Sequence, residues 1–295
     1  MLTLLLWFVL VLGVYVIAIE PVLMRVRREK VVVSEGAGKK ILFLSDLHMT
    51  WFRFTWIEAA QWNVIAKALG EGGFEVILLG GDFLDHTAGD LQRTRVLKFL
   101  AFLHSFNLPV VGVLGNHDHR CLHGYSDEVW EKELREAGLI ILRDSIWKGE
   151  GFTVFGLDDP ERDDVYFALS PSGRRELFAE QAKKMSAHFS AEDSKNGGVG
   201  ILLSHNPDGL YYANLPKHQL VLSGHTHGGQ YLPWRWLTAA SHYFPVPRGS
   251  FGTWSGRKTV DGRELIVTTG IGSSTVPGRF FMFPEVVVIE LIAKN

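Results

Sequence analysis

The sequence predicts an α/β domain with a mixed β-sheet, carried behind one uncharged apolar helix. Three observations predict it. Short apolar runs recur: ILFLS at 41–45, VILLG at 76–80, VVGVLG at 110–115, ILLS at 201–204 and LVLSG at 220–224. Each is strand-sized and apolar throughout, as a strand buried on both faces must be. Between the first of them lie amphipathic stretches such as Ile57, Ala60, Val64 and Ala68 at helical spacing. Strands alternating with such helices signal an α/β sheet. Finally, no charged side chain occurs between Met1 and Ile19.

Taken in order, residues 1–20 read as a transmembrane anchor. At ~1.5 Å per residue this run spans roughly 28 Å, close to a bilayer's hydrocarbon core. A cleaved signal peptide would need a basic start and a small-residue cleavage site. Nothing basic precedes Leu2, and Ala18-Ile19-Glu20-Pro21 is a poor site. A buried core helix would not be this unbroken. Glu20-Pro21 ends the helix. Residues 21–39 read as a basic linker, with Arg25, Arg27, Arg28, Lys30 and Lys39, closing on the Gly-rich Glu35–Gly38. The positive-inside rule places the large C-terminal part in the cytoplasm, on the inner (cytoplasmic) membrane of a single-pass protein. The domain proper runs over 40–295. Strands near 41–45, 75–79 and 109–114 alternate with helices near 57–69 and 91–106. A helix near 126–137 precedes strands near 139–142 and 152–157. Residues 158–198 are polar and helical in part. Strands resume at 199–203, 219–223, 264–269 and 286–292, and these later ones are expected to be antiparallel and hairpin-linked.

At 46% apolar and 21% charged, the 295 residues can build a sizeable core. A net charge of −2 gives no electrostatic footprint for nucleic acid, which is not an expected partner. The single cysteine, Cys121, excludes an internal disulfide. A G-x-S-x-G elbow and a Walker A loop are both absent from the sequence, which argues against serine hydrolysis and P-loop chemistry.

Polar motifs follow the apolar runs. They are Asp46-x-His48 in SDLH, Asp82 and Asp85 in GGDFLD, Asn116-His117-Asp118 in GNHD, His205 in SHNPD, and His225-x-His227 in SGHTHGGQ. Ligands of α/β sheets bind beyond the carboxyl ends of the strands, so these fragments can converge. Oxygen and imidazole donors suit divalent transition metals. Asp46 and His48 can reach one ion from a tight loop. Asp82 is a short carboxylate suited to bridging two. Asn116 offers an amide oxygen, and His205 and His225 offer imidazoles. His225 and His227 can split between the ions. Asp118 could orient the ring of His117, leaving His117 to stabilise or protonate a leaving group. A lone D-x-H or G-D-x-x-D is more often a turn or cap; the ordered set of five motifs is specific. His104, His188 and His218 read as surface positions. His86 and His119 adjoin the motifs.

This ordered set resembles that of the calcineurin-like metallophosphoesterases, over about residues 40–293. The anchor with Glu20-Pro21, SGHTHGGQ followed by Leu232-Pro233, and the closing GIGSSTVPGRF with its later Pro284-Glu285 are similar to a membrane-bound bacterial branch. That branch includes UDP-2,3-diacylglucosamine pyrophosphatases of lipid A synthesis and phosphodiesterases of other substrates. The resemblance implies a four-layer α-β-β-α sandwich. It implies Asp46, His48, Asp82 and His227 on one metal, Asp82, Asn116, His205 and His225 on the other, and His117 as the catalytic histidine. Two divalent ions are expected, Mn²⁺ first, with Fe, Zn and Mg as alternatives. Arg279 resembles a branch residue able to bind phosphate through its guanidinium fork.

Two aromatic clusters follow metal motifs directly: Trp51, Phe52, Phe54 and Trp56, then Tyr231, Trp234, Trp236, Tyr243, Phe244, Phe251 and Trp254. They read either as a lid core or as a rim for acyl chains at the membrane interface, where Trp and Tyr are enriched. The expected partner is a lipid-linked or nucleotide-linked phosphate substrate at the membrane. The same chemistry on a nucleotide, phospholipid or phosphoprotein is the alternative. A non-catalytic scaffold is disfavoured by the full ligand set.

Overall fold

The computed structural model describes residues 1–33, 37–85, 88–120, 126–159, 199–207, 220–233, 253–260 and 262–293, with 173, 176 and 180 as isolated positions. Two six-stranded sheets form its centre. The first has the order β1-β12-β2-β3-β4-β5, from Arg25–Val33 (β1), Lys40–Leu44 (β2), Phe74–Leu79 (β3), Val110–Gly112 (β4), Ile140–Ile141 (β5) and Glu285–Ala293 (β12). The second has the order β10-β11-β9-β8-β7-β6, from Ser145–Gly149 (β6), Phe152–Leu157 (β7), Val199–Ser204 (β8), Leu220–Ser223 (β9), Gly256–Val260 (β10) and Arg263–Val267 (β11).

The apolar runs behave as doubly buried strands. Alternate side chains leave opposite faces of a strand. Ile41 and Phe43 of β2 therefore join Val76, Leu78, Val154, Ile201, Leu203 and Ile266 in a core between the two sheets. Their neighbours Leu42 and Leu44 face the other way, into a core shared with helices. Those helices are α2 (Thr55–Leu69), α3 (Asp90–His104) and α4 (Asp127–Glu136). Ile65, Val96, Phe99, Leu103, Trp130 and Leu134 are their inward residues. On the far side of the second sheet, Phe155, Leu157, Leu202, Val221, Leu265 and Val267 are also buried. Of the part-helical stretch expected over 158–198, residues 160–198 lie outside the described residues except 173, 176 and 180, which are helical.

Two expectations are corrected. The basic linker expected over 21–39 is, from Arg25 to Val33, a strand paired in parallel with β12 over nine residues. Its basic side chains are paired: Arg27 meets Glu285 of β12 at 2.9 Å and Glu29 of its own strand at 2.8 Å, and Arg28 pairs with Glu71. Val31 and Val33, apolar at every second position, supply the buried face. The later strands are also less antiparallel than expected. β7-β8, β8-β9 and β9-β11 are parallel, as is β12 with β1; among the described residues the edge hairpins β6-β7 and β10-β11 and the β12-β2 pair are antiparallel. Continuous apolar runs mark parallel strands covered on both faces. The edge strands SIWKG and GRKTV, partly exposed and polar, carry too weak an alternation to stand out.

The N-terminal run is helical over Leu2–Val14 (α1), which buries no residue, and continues as tighter and looser turns to Val22. Leu2–Val22 is long and apolar enough to cross a membrane.

Candidate metal centre

The motifs meet where strands β2, β3, β4, β8 and β9 end. Five of the residues there hold left-handed backbone: Asp46 (φ 54°), His48 (39°), Asp82 (55°), His225 (68°) and His227 (51°). Such conformations cost of order 1–3 kcal/mol each in non-glycine residues, and they persist where the surroundings enforce them. The loops are tied together by backbone. Asp46 N–H donates to Gly81 O at 3.0 Å, His48 N–H to Asp82 O at 2.9 Å, and Gly224 N–H to His205 O at 3.0 Å. At two places only glycine fits. A Cβ on Gly115 would strike the Asp82 side chain, and one on Gly224 would strike Ser45 and Asp46.

The donor atoms converge. Asp82 Oδ2 lies 3.2 Å from His48 Nε2 and 3.1 Å from His205 Nε2, so it touches both groups of donors. On one side, His227 Nε2 is 3.0 Å from His48 Nε2 and 3.5 Å from Asp46 Oδ1. On the other, Asn116 Oδ1 is 3.2 Å from both His205 Nε2 and His225 Nδ1, which are 3.3 Å from each other. His205 Nδ1 meets Gly80 O at 2.7 Å, which fixes that proton on Nδ1 and aims Nε2 inward. The structure thus brings Asp46, His48, Asp82, Asn116, His205, His225 and His227 into one cluster.

Charge within the cluster is strongly coupled. Burial disfavours the imidazolium of His48, yet the Asp82 carboxylate pushes its pKa up to about 9. Burial likewise opposes a charged His205, and Asp82 again outweighs it, raising the pKa well above the ordinary value. Asp82 is held well below the usual carboxylate range by His205, His117 and His48 against the cost of burial. Burial, His48 and Arg279 hold His227 well below an ordinary histidine. The Asp82 carboxylate thus favours protons on His48 and His205, while its pull on His227 is outweighed. Asp46 Oδ2 is buried without a hydrogen-bond partner among the described residues. Three sets of donors, Asp46-His48-His227, His48-Asp82-His117 and Asp46-Asp82-His205, each lie within mutual reach of a single ion. Carboxylate, amide and imidazole donors around a shared Asp82 fit divalent cations.

His117 sits at the rim, with 19% of its side chain exposed, and its N–H donates to Asp82 Oδ1 at 2.9 Å. Asp118 has a different task from the expected one of orienting that ring. Its Oδ1 accepts from Phe83 N–H at 2.9 Å and Leu84 N–H at 3.3 Å, and its Oδ2 from Gly115 N–H at 3.0 Å. Asp118 is therefore a brace between the GGDFLD and GNHD loops. Burial, then the Asp82 charge, pushes its carboxyl up to about 6. The carboxylate that faces His117 is Asp85, whose Oδ2 also lies 3.5 Å from His48 Nδ1. The D-x-x-D spacing points to Asp85, but nothing in it gives this role.

Arg279 is not placed to bind phosphate. It is fully buried, and its guanidinium donates to Gly272 O at 2.9 Å, Thr269 O at 2.7 Å and Met282 O at 3.1 Å. Its fork is spent on backbone carbonyls, and its Nη2 lies 3.5 Å from His227 Nδ1. Trp234 and Trp236, expected at a substrate rim, lie outside the described residues, as do Tyr243, Phe244 and Phe251. Trp51, Phe54 and Trp56 are exposed. His119 is buried between Asp127, at 3.1 Å, and Asp158, at 3.3 Å. Glu20 reads in the sequence only as a helix end; it is completely buried and accepts from Phe281 and Met282 N–H. Its signal is an acidic residue directly after an uncharged run.

The family model described as calcineurin-like phosphoesterase matches residues 39–229. Among curated proteins, the chain is similar to "Uncharacterized metallophosphoesterase YkuE" of Bacillus subtilis (strain 168), 26% identical, covering 88% of this chain and 80% of the relative. It is also similar to "Phosphodiesterase YaeI" of Escherichia coli (strain K12), 29% identical, covering 88% of this chain and 84% of the relative. "Transmembrane protein with metallophosphoesterase domain" of Danio rerio is 27% identical over 86% of this chain and 53% of its own length. Among solved structures, TT1561 of Thermus thermophilus aligns with a TM-score of 0.43 and 13% identity, covering 80% of this chain and 91% of that one.

Proposed function

Because the chain belongs to the calcineurin-like phosphoesterases, we propose that it is a dinuclear-metal hydrolase of phosphoester or pyrophosphate bonds in a membrane-associated substrate. The observation that carries this is Asp82 Oδ2, within 3.2 Å of imidazole nitrogens from both halves of the cluster. Asp46, His48, Asp82 and His227 would hold one ion, and Asp82, Asn116, His205 and His225 the other. When bound, the ions supply positive charge that polarises phosphoryl oxygens and lowers the pKa of water; Mn²⁺ is the first candidate. The chain's own residues do the rest. Asp82 Oδ1 fixes the backbone of His117, and the Asp85 carboxylate faces its ring. His117, at the open rim, is placed to give a proton to the leaving oxygen.

UDP-2,3-diacylglucosamine is the substrate we favour. Water would attack one phosphorus, the bridging P–O bond would break, and UMP and a lipid phosphate would result. Two features support a lipid-linked ester. The apolar helix is seated directly on the loop that carries Arg279: Arg279 N–H donates to Val16 O at 3.0 Å. Val276 and Phe281, which flank Arg279 in sequence, and Trp51, Phe54 and Trp56, which follow the Asp46–His48 motif, leave large apolar side chains exposed. We place the domain in the cytoplasm, at the inner membrane. A second reading, hydrolysis of another phosphodiester, is favoured by the name of the Escherichia coli relative. The test is an assay of the full chain with Mn²⁺ against UDP-2,3-diacylglucosamine and a soluble bis-aryl phosphodiester. UMP release supports the first reading. Hydrolysis of the aryl diester alone selects the second, and no hydrolysis of either rejects both.

A further inference from the structure

The loop Pro277–Met282 touches both the apolar helix and the metal cluster. Toward the helix, Glu20 Oε2 accepts Phe281 N–H at 2.8 Å and Glu20 Oε1 accepts Met282 N–H at 2.7 Å. Arg279 N–H donates to Val16 O at 3.0 Å. Gly278 lies so close that any Cβ would collide with that same carbonyl. Gln61 Nε2 adds a second seam, donating to Pro21 O at 2.7 Å and Ile271 O at 3.2 Å.

Toward the cluster, the guanidinium of Arg279 binds the carbonyls of Thr269 and Gly272 and approaches His227 Nδ1. The segment it grips is itself bonded to a ligand loop. Ile271 N–H donates to Ser45 O at 3.0 Å, and Gly272 N–H to Asp46 O at 2.7 Å. An unbroken series of hydrogen bonds thus runs from Glu20 through 281–282 and Arg279 to Asp46 and His227. His205 and Asn116 are placed differently. They follow β8 and β4 and are tied to Gly80 and to each other.

We propose that Glu20 is a positioning residue of the metal centre, and that the end of the apolar helix belongs to the scaffold of its Asp46–His48–His227 half. This rests on the dinuclear reading above. A buried carboxylate that accepts two backbone N–H groups makes hydrogen bonds roughly twice as strong as neutral ones. Removing it releases Arg279 from one side, and with it the two carbonyls and the ring that Arg279 aligns. Residues behind a ligand shell typically set metal affinity by about 10–100-fold. That leverage would lie with a residue outside the segment matched by the family, which begins at residue 39. The helix is then a structural part of the site as well as a tether.

The experiment is Mn²⁺ titration of the full chain in detergent, followed by electron paramagnetic resonance and calorimetry, with thermal stability measured alongside. Wild type should show two sites. In Glu20→Ala one site should weaken roughly 10–100-fold while the other keeps its affinity. Glu20→Gln, with a single acceptor oxygen, should fall between. Gly278→Ala, which displaces the same loop through Val16, should reproduce the one-site loss even where Glu20→Ala fails to fold. Wild-type affinity at both sites in Glu20→Gln and Gly278→Ala overturns the proposal. So does an equal loss at both sites that tracks thermal stability. A wild-type chain that binds no divalent ion would instead overturn the function proposed above.

Discussion

The ring of His117 is faced by the carboxylate of Asp85, with Nδ1 4.0 Å from Oδ2. Asp85 is itself held by Thr275 N–H at 3.2 Å and Ser274 Oγ at 3.4 Å. His48 and His117 keep its carboxyl well below the usual range against the cost of burial. It therefore presents a fixed negative charge to the rim. His117→Ala should lower kcat about 10²–10⁴-fold with metal content unchanged. Asp85→Asn should cost roughly 10–100-fold and shift the alkaline limb of the pH–rate profile, where a general acid loses its proton. Steady-state kinetics with elemental analysis checks both. Loss of metal in His117→Ala would show the residue to be a ligand.

Asp82→Ala should lose metal from both halves of the cluster and abolish activity, because one oxygen serves both. His227→Ala should lose less. In the metal-free protein, Asp82 keeps His48 and His205 protonated beyond their ordinary range. Metal uptake near neutral pH should therefore release protons, and affinity should fall as pH is lowered. Calorimetry in buffers of different ionisation enthalpy reads the proton count. Full metal occupancy in Asp82→Ala would refute the shared-ligand assignment.

His119 should make stability depend on alkaline pH. Burial opposes its charged form, but Asp127 and Asp158 push its pKa up to about 9. Its folded value lies above the unfolded value, so its contribution is complete below about pH 6.5 and is lost as pH rises through about 9. The linkage is worth of order 1–3 kcal/mol. Urea unfolding of metal-free wild type should lose more stability between pH 6 and pH 10 than that of His119→Gln. Parallel pH curves for the two proteins would contradict this.

The proposed topology predicts that a reporter fused after Asn295 is active when it is one that folds in the cytoplasm. A periplasm-specific reporter there should be silent. Strong periplasmic activity would reverse the orientation and remove the case for a cytoplasmic-leaflet substrate.

The sequence shows strands and ligand types more clearly than it shows connections. ILFLS, VILLG and LVLS are legible because strands covered on both faces must be apolar at every position. The ligand motifs are legible because each follows such a run. β1 escapes a sequence reading because RVRREK carries its charges in cluster rather than in alternation, and its pairing with β12 is invisible locally. The role of Asp118 is hidden because adjacency to His117 says nothing of the Phe83, Leu84 and Gly115 amides that fold back onto it. Arg279 suggests a phosphate ligand by its resemblance to a branch residue and its guanidinium fork, whereas its burial against Gly272 and Thr269 depends on tertiary contact.

The parallel pairing of β1 with β12 joins residues far apart in the chain; Arg27 and Glu285, which share a hydrogen bond, are 258 positions apart. β12 lies between β1 and β2, so the first sheet cannot close until that late strand arrives. During synthesis the apolar helix emerges well before Pro277–Met282 and β12. Contacts of such high sequence separation form slowly. For most of its translation, then, the nascent chain carries an open β2 edge beside an already emerged helix. Completion of the sheet, seating of the helix and assembly of the Asp46–His227 side become one late event. A ribosome stalled before Pro277 should hold a chain whose helix has emerged but which binds no ion on that side.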